Sequence, residues 1–167
     1  MSTAPDLEAA VLETLVAGVS GKGAHVDTER ALDGLDWQLA GRAVPGVPYT
    51  ILQSANHIIF WNGYTLAHLA GQTPRPPEHA ADGWPGAAAP ASREEWGAFV
   101  RAYQASLAAL AEAMRARRFT EIQPTRARTR LDVLRAMTNH VSYHVGQIAL
   151  LRRMLGSWPP PGGGDTW

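Results

Sequence analysis

The stretch TRLDVLRAMTNHVSYHVGQIALLRRML, Thr129–Leu155, decides the fold class. Leu134, Met137, Val141, His144, Ile148, Leu151 and Leu155 recur along it at steps of three and four. That period lines one face of an α-helix with core side chains. Thr129 opens the segment with Asp132 in the third helical position, and Gly156 stops it.

Working outward, the same period recurs three times. Ser92-Arg-Glu-Glu95 reads as a capping box in which Ser92 and Glu95 satisfy each other's free amides. Trp96, Phe99, Tyr103, Leu107, Leu110 and Met114 then follow at helical steps. A second helix is expected from about Tyr49 to Ala70, with Gly71 as its stop, and a shorter first helix from about Pro5 to Ala17, ended by Gly18, Gly21 and Gly23. A short helix is expected after Asp27 as N-cap, stopping near Gly34. AVPGVPYT (Ala43–Thr50) is a break, and QTPRPPEHAADGWPGAAAPA (Gln72–Ala91) is a loop whose Pro and Gly content excludes a helix. At about 20 residues it is long for a compact domain, which marks it as functional or mobile. The tail SWPPPGGGDTW is irregular, no strand alternation is visible, and no internal repeat is found. The expected architecture is all-α: one domain over residues 1–167, a four-helix bundle with long irregular loops and an irregular C-terminal tail.

Composition removes several function classes. The 167 residues are 46% hydrophobic and 18% charged, which is ordinary for a globular chain able to bury a sizeable core. Fifteen basic residues balance fifteen acidic ones, so the overall basic footprint of a nucleic-acid binder is missing. There is no cysteine, which excludes disulfides, thiolate zinc sites and a cysteine nucleophile. The N-terminus, MSTAPDLEAAVLETL, does not read as a secretory signal, and no apolar run reaches the ~20 residues of a membrane span. The expectation is a cytoplasmic protein that meets neither membrane nor nucleic acid.

The chemistry sits in Asn139-His-Val-Ser-Tyr-His-Val-Gly-Gln147. His140 and His144 are four apart, so their rings leave the same helix face one turn apart, within reach of one ion. Spacing alone is weak, because six histidines in 167 residues give about 0.2 such pairs by chance. Location adds weight, since His144 lies in the apolar seam and His140 flanks it. A buried imidazole needs partners for both nitrogens. A metal on one and a hydrogen bond on the other would supply them. Core histidines satisfied by side chains or water would do so equally well, and spacing and location leave both readings open. On the second helix Gln53, His57, Trp61, Tyr64 and His68 form one polar-aromatic face. His57 lies mid-helix and is the better third ligand. His68 is eleven residues on, ~16 Å along the axis, and is expected to be half-exposed. His79 is expected to be solvated in its loop, and His25 to approach the mouth of the bundle as a pocket residue.

Other motifs fail. There is no H-E-x-x-H, no helical Glu-x-x-His pair and no G-x-S-x-G elbow, and GVSGKG (Gly18–Gly23) lacks the first Gly of a P-loop and its Ser or Thr.

The run NHVSYHVGQIALLRRMLGSWPPPGGGDTW (Asn139–Trp167) strongly resembles the C-terminal segment of the DinB-like (DinB/YfiT) family. GAHVDTERALDGLDWQLAGRAVPGVPYTILQSANHI (Gly23–Ile58) resembles that family's first loop and second helix, and Ser92–Met114 fits its third. The resemblance implies a four-helix bundle, usually a homodimer, and a three-histidine site for one divalent ion, Zn or Ni, at the positions of His57, His140 and His144. Characterised relatives include thiol S-transferases and thiol-dependent isomerases, so a low-molecular-weight thiol is implied as cosubstrate. Three neutral imidazoles suit Zn or Ni and leave a coordination position open, whereas structural zinc sites normally close with four protein ligands.

The leading expectation is therefore a metal-dependent enzyme, a thiol transferase, isomerase or hydrolase, with Trp61, Tyr143 and Gln147 in the pocket or behind the ligands and no evident general base. The competing expectation is a non-catalytic, stress-related metal-binding protein whose ion is structural or sensory. A fourth protein ligand such as His25 would favour the latter. Three imidazole ligands also predict that metal affinity falls as pH drops from about 7 to 5.

Overall fold

The computed structural model describes residues 6–84, 86–123 and 127–163. Four long helices carry the fold: α1 (Leu7–Ser20), α3 (Ile51–Leu69), α4 (Arg93–Arg115) and α5 (Arg130–Met154). A single helical turn, α2 (Trp37–Ala40), precedes α3. α1 and α3 each pack against both α4 and α5, which is a bundle around one core. The architecture is all-α.

Local chemistry sets the helix starts. Thr50 with Gln53, and Thr129 with Asp132, form reciprocal capping boxes at α3 and α5. Asp6 caps α1 by accepting from the Glu8 amide at 3.1 Å. Ser92 caps α4 by accepting from Glu95 N at 3.1 Å. The Glu95 carboxylate accepts from Ala91 N at 2.9 Å, one residue before the expected partner, so that capping is not the reciprocal box read from the sequence.

α1 runs past the expected stop at Ala17 to Ser20, because Gly18 is inside the helix for a packing reason. A Cβ at Gly18 would lie 2.6 Å from Thr138 Cγ2, so the glycine lets α1 approach α5. Termination falls instead to Gly21, whose φ of 77° is left-handed and costs a glycine little. Pro5, the expected first-turn proline, lies outside the described residues.

Three short elements escaped the sequence. α2 is a single turn, too short for any period to show. A 3-10 turn at Ala80–Gly83 lies inside the Pro- and Gly-rich loop. A two-residue antiparallel ladder pairs β1 (Ile122–Gln123) with β2 (Arg128–Thr129) and joins the end of α4 to the start of α5. Its one apolar residue, Ile122, is exposed while Gln123 is buried, so alternation could not reveal it. After Asp27, the expected short helix is a 3-10 turn, Thr28–Arg30.

Fully buried Ile51, Ala55 and Ile58 from α3, Tyr103, Leu110 and Met114 from α4, and Leu134, Val141, Val145 and Ile148 from α5 fill the centre. Tyr103 donates its hydroxyl to Thr28 O at 3.0 Å. Two arginines are buried without a carboxylate and use backbone carbonyls instead. Arg130 reaches Ala113 O at 2.6 Å and Leu69 O at 3.5 Å, near the C-terminal ends of α4 and α3. Those carbonyls have few intrahelical partners and carry the negative end of the helix dipole. Arg152 donates to Ala31 O at 2.6 Å, Asp33 O at 2.9 Å and Ser157 O at 3.0 and 2.9 Å, clasping an early loop and the C-terminal turn to α5. Among the described residues no helix is long and apolar enough to cross a membrane.

Candidate metal centre

α3 and α5 meet so that His57, His140 and His144 face one another. One ligand atom from each lies within 4.8 Å of the other two, a group that could hold one metal ion. The four-residue spacing puts His140 and His144 on one face of α5, with ring centroids 4.5 Å apart, and His57 reaches across from α3. His57 and His144 are buried and His140 is half-buried.

The outer nitrogens of two rings are committed to carbonyl oxygens. His57 Nδ1 donates to Gly83 O, and His144 Nδ1 donates to Gln147 Oε1 at 2.7 Å. An oxygen acceptor at Nδ1 fixes the proton there and leaves the Nε2 lone pair free to face inward. His57 Nε2 lies 3.1 Å from His140 Nε2. Two nitrogens bound at about 2.0–2.1 Å in tetrahedral geometry stand roughly 3.3 Å apart, so this pair fits one ion.

Burial keeps all three rings neutral, which is the ligating form. It lowers His140 to about 4, helped by His144 and His57. His57 is lowered by burial against a smaller opposing effect of its bond to Gly83. His144 is lowered by burial, partly offset by Gln147 and reinforced by His57. Among the described residues no carboxylate or fourth histidine joins the group.

The Pro- and Gly-rich loop completes the site, and the sequence did not disclose how. Trp84 stacks on His57 with centroids 3.9 Å apart and is covered on its far side by Tyr49 at 3.6 Å. Thr50 Oγ1 donates to Ala88 O at 2.7 Å and ties the loop to the start of α3. Gly83 and Trp84 are thus the contributors missed from the chain alone. The only signal was a tryptophan beside a glycine in an overlong loop.

A cavity of about 430 Å³ opens beside the group, with His57 and His140 in its wall together with Trp61, Tyr64, Trp84 and Met137. Trp61 lies in the cavity wall, and Gln147 stands behind His144. Tyr143 does not line it. Its ring is edge-on to His144 at 5.0 Å, but the residue is 64% exposed because it points from the outer face of α5. His25 is also elsewhere. Its Nδ1 meets Val26 O at 2.8 Å and its Nε2 meets Ser142 Oγ at 3.1 Å, so both nitrogens are engaged away from the group. His68 does not join the three, and it is buried rather than half-exposed, packed against Tyr64 at 4.7 Å. The helix end it occupies is covered by the start of α5, where Arg130 reaches Leu69 O. His79 is exposed in the loop, as expected.

No curated protein and no solved structure matches the chain. The family model described as the DinB superfamily matches residues 22–148, a span that holds all three histidines, the loop that orients His57 and most of α5. A match over that much of the chain, on a helical bundle of this kind, makes the protein a member of the DinB superfamily.

Proposed function

We propose that this protein is a metal-dependent enzyme that binds one zinc or nickel ion through His57, His140 and His144 and uses it to transfer a small-molecule thiol to an electrophile. The carrying observation is that three inward-facing imidazoles, with no fourth protein ligand among the described residues, form a group of which His57 and His140 wall an open cavity of about 430 Å³. A site of three protein ligands leaves a position for substrate. An ion held there would lower the pKa of a bound thiol and supply a nucleophile near neutral pH.

The chain's own residues would do the rest. Gly83 O and Gln147 Oε1 orient His57 and His144. Trp61 and Trp84 keep the approach apolar. In the transfer the thiol sulfur forms a bond to the electrophilic carbon, whose leaving group departs with its electron pair, and the thiol proton is released to solvent. The absence of cysteine requires the thiol to be a cosubstrate.

A homodimer belongs to the same reading. Tyr143, Leu150 and Met154 are exposed at helical spacing on α5, an apolar face that suits a symmetric contact. A cytoplasmic, thiol-containing compartment would suit this chemistry.

The test is elemental analysis of untagged protein purified without added ions, followed by thiol consumption against a panel of electrophiles. One equivalent of Zn or Ni with metal-dependent consumption is expected. Stoichiometric metal without any turnover would favour a structural or sensory ion, and absence of metal binding would end the proposal.

A further inference from the structure

The cavity beside the histidines has a second end. It runs between α3 and α5, whose contacts pair His57 with His140 and Thr65 with Met137, while Leu69 lies by Arg130. The helices are therefore antiparallel here. Ordered along α5, the lining residues are Arg128, Val133, Ala136, Met137 and His140. Arg128 stands just before the first turn of α5, and His140 is ten residues into it, about 15 Å along the axis. The guanidinium and the imidazoles thus mark opposite ends of a groove that follows roughly three turns of α5. The wall between them is apolar and aromatic, with Trp61, Tyr64 and Trp84 facing Val133, Ala136 and Met137.

Arg128 is the one permanently charged side chain in the wall of this cavity. Arg30, Arg93, Arg115, Arg117 and Arg118 each lie within 4.0 Å of a carboxylate. Arg128, like Arg42, Arg101 and Arg135, has no carboxylate within that distance among the described residues. Its near neighbour Asp132 is occupied, accepting from Thr129 Oγ1 at 2.7 Å and Thr129 N at 3.3 Å to cap α5. The ladder partner Gln123 is neutral. A guanidinium that feels the Asp132 carboxylate but makes no close pair with it thus closes an apolar groove whose other end is a cluster of neutral imidazoles.

We infer that this groove selects an elongated, apolar-bodied carboxylate, with the carboxylate on Arg128 and the body on Trp61, Tyr64, Trp84 and Met137, so that its far end lies at the histidines. A planar guanidinium pairs with a carboxylate through parallel hydrogen bonds, and the apolar wall takes the chain from water. An extended eight-carbon carboxylate, about 9 Å long, fits within a groove of about 15 Å whose ends are shortened by the side chains that reach into it. The inference deepens the proposed function by naming the class of its substrate, and rests on the histidines being the reacting end. The groove and Arg128 need no ion to bind the carboxylate.

The experiment therefore uses metal-free protein at about pH 8, where the imidazoles are neutral. Octanoate and its neutral counterpart octanamide are titrated while tryptophan fluorescence is followed, since Trp61 and Trp84 line the groove. Octanoate should bind about twofold to fivefold more tightly than octanamide, the range for a charge pair at an exposed guanidinium. Arg128→Gln should abolish that preference while leaving octanamide unchanged, Arg128→Lys should keep part of it, and His140→Ala should leave it intact. Equal affinity for the two ligands, a preference that survives Arg128→Gln, or one lost in His140→Ala would overturn the inference. Failure here with metal binding intact would spare the three-histidine reading. A carboxylate preference in a protein that binds no metal would do the reverse.

Discussion

Acidification should weaken metal binding far less than three ordinary imidazoles would allow. A free imidazole with a pKa of 6.5 loses a factor of about 33 to protons at pH 5 and about 1.3 at pH 7, so each contributes about 25-fold over that interval. Three independent ones would lower affinity about 10⁴-fold. Burial holds His140 at about 4. Its factor at pH 5 is then only about 1.1. His57 and His144 are also lowered, so each contributes less than the free value. Their combined ceiling is roughly 700-fold, and mutual repulsion among the rings reduces it further. Loss between pH 7 and 5 should therefore stay below about 10³-fold, with the steep third-power regime displaced to below about pH 4. Competition titrations with a chelator of known proton dependence, at half-unit pH intervals, measure the slope. A loss of 10⁴-fold or more would show that the imidazoles titrate as though solvated, and would refute the packed, desolvated site. The same shifts give a sign for folding. Unfolded imidazoles take up protons near pH 6.5 that the folded ones refuse, so the metal-free protein keeps its full stability above 6.5 and loses it as pH falls toward about 4. Chemical denaturation at pH 7.5 and 5 should show the lower midpoint at pH 5.

Other outcomes follow from single contacts. His140→Ala or His144→Ala should abolish stoichiometric metal binding, while His68→Ala should retain it; full occupancy in either of the first two variants, read by elemental analysis, would remove the site assignment. Gln147→Leu should weaken metal affinity about 10- to 100-fold by freeing His144 Nδ1, with the helical circular-dichroism signal unchanged. Arg152→Met strands the carbonyls of Ala31, Asp33 and Ser157 and should cost about 3 kcal/mol or more, a fall in Tm of roughly 6–12 °C by calorimetry. Sedimentation at micromolar concentration should find a dimer that Leu150→Glu dissociates; a monomeric parent protein would remove the exposed face of α5 from consideration.

The chain alone disclosed the long helices and much of their punctuation. Period, capping residues and glycines act over one to four residues, and Ser92, Thr129 and Gly71 stand where local chemistry needs them. It also singled out His57, His140 and His144, because one helical turn between two histidines and a third in mid-helix are properties of spacing. Contacts between distant segments were not legible. The clasp of Arg152 joins residues over 100 positions apart, and nothing local in the chain marks Arg130 or Arg152 as buried. The burial of His68 depends on what packs over the end of α3. Above all, the loop Gln72–Ala91 has no period to read, yet it delivers Gly83 O to His57 Nδ1 and lays Trp84 on the ring. Which nitrogen of His57 faces inward, how neutral the three rings are, and where the cavity ends at Arg128 are set by desolvation and by atoms from other elements. Those quantities exist only once the helices have packed.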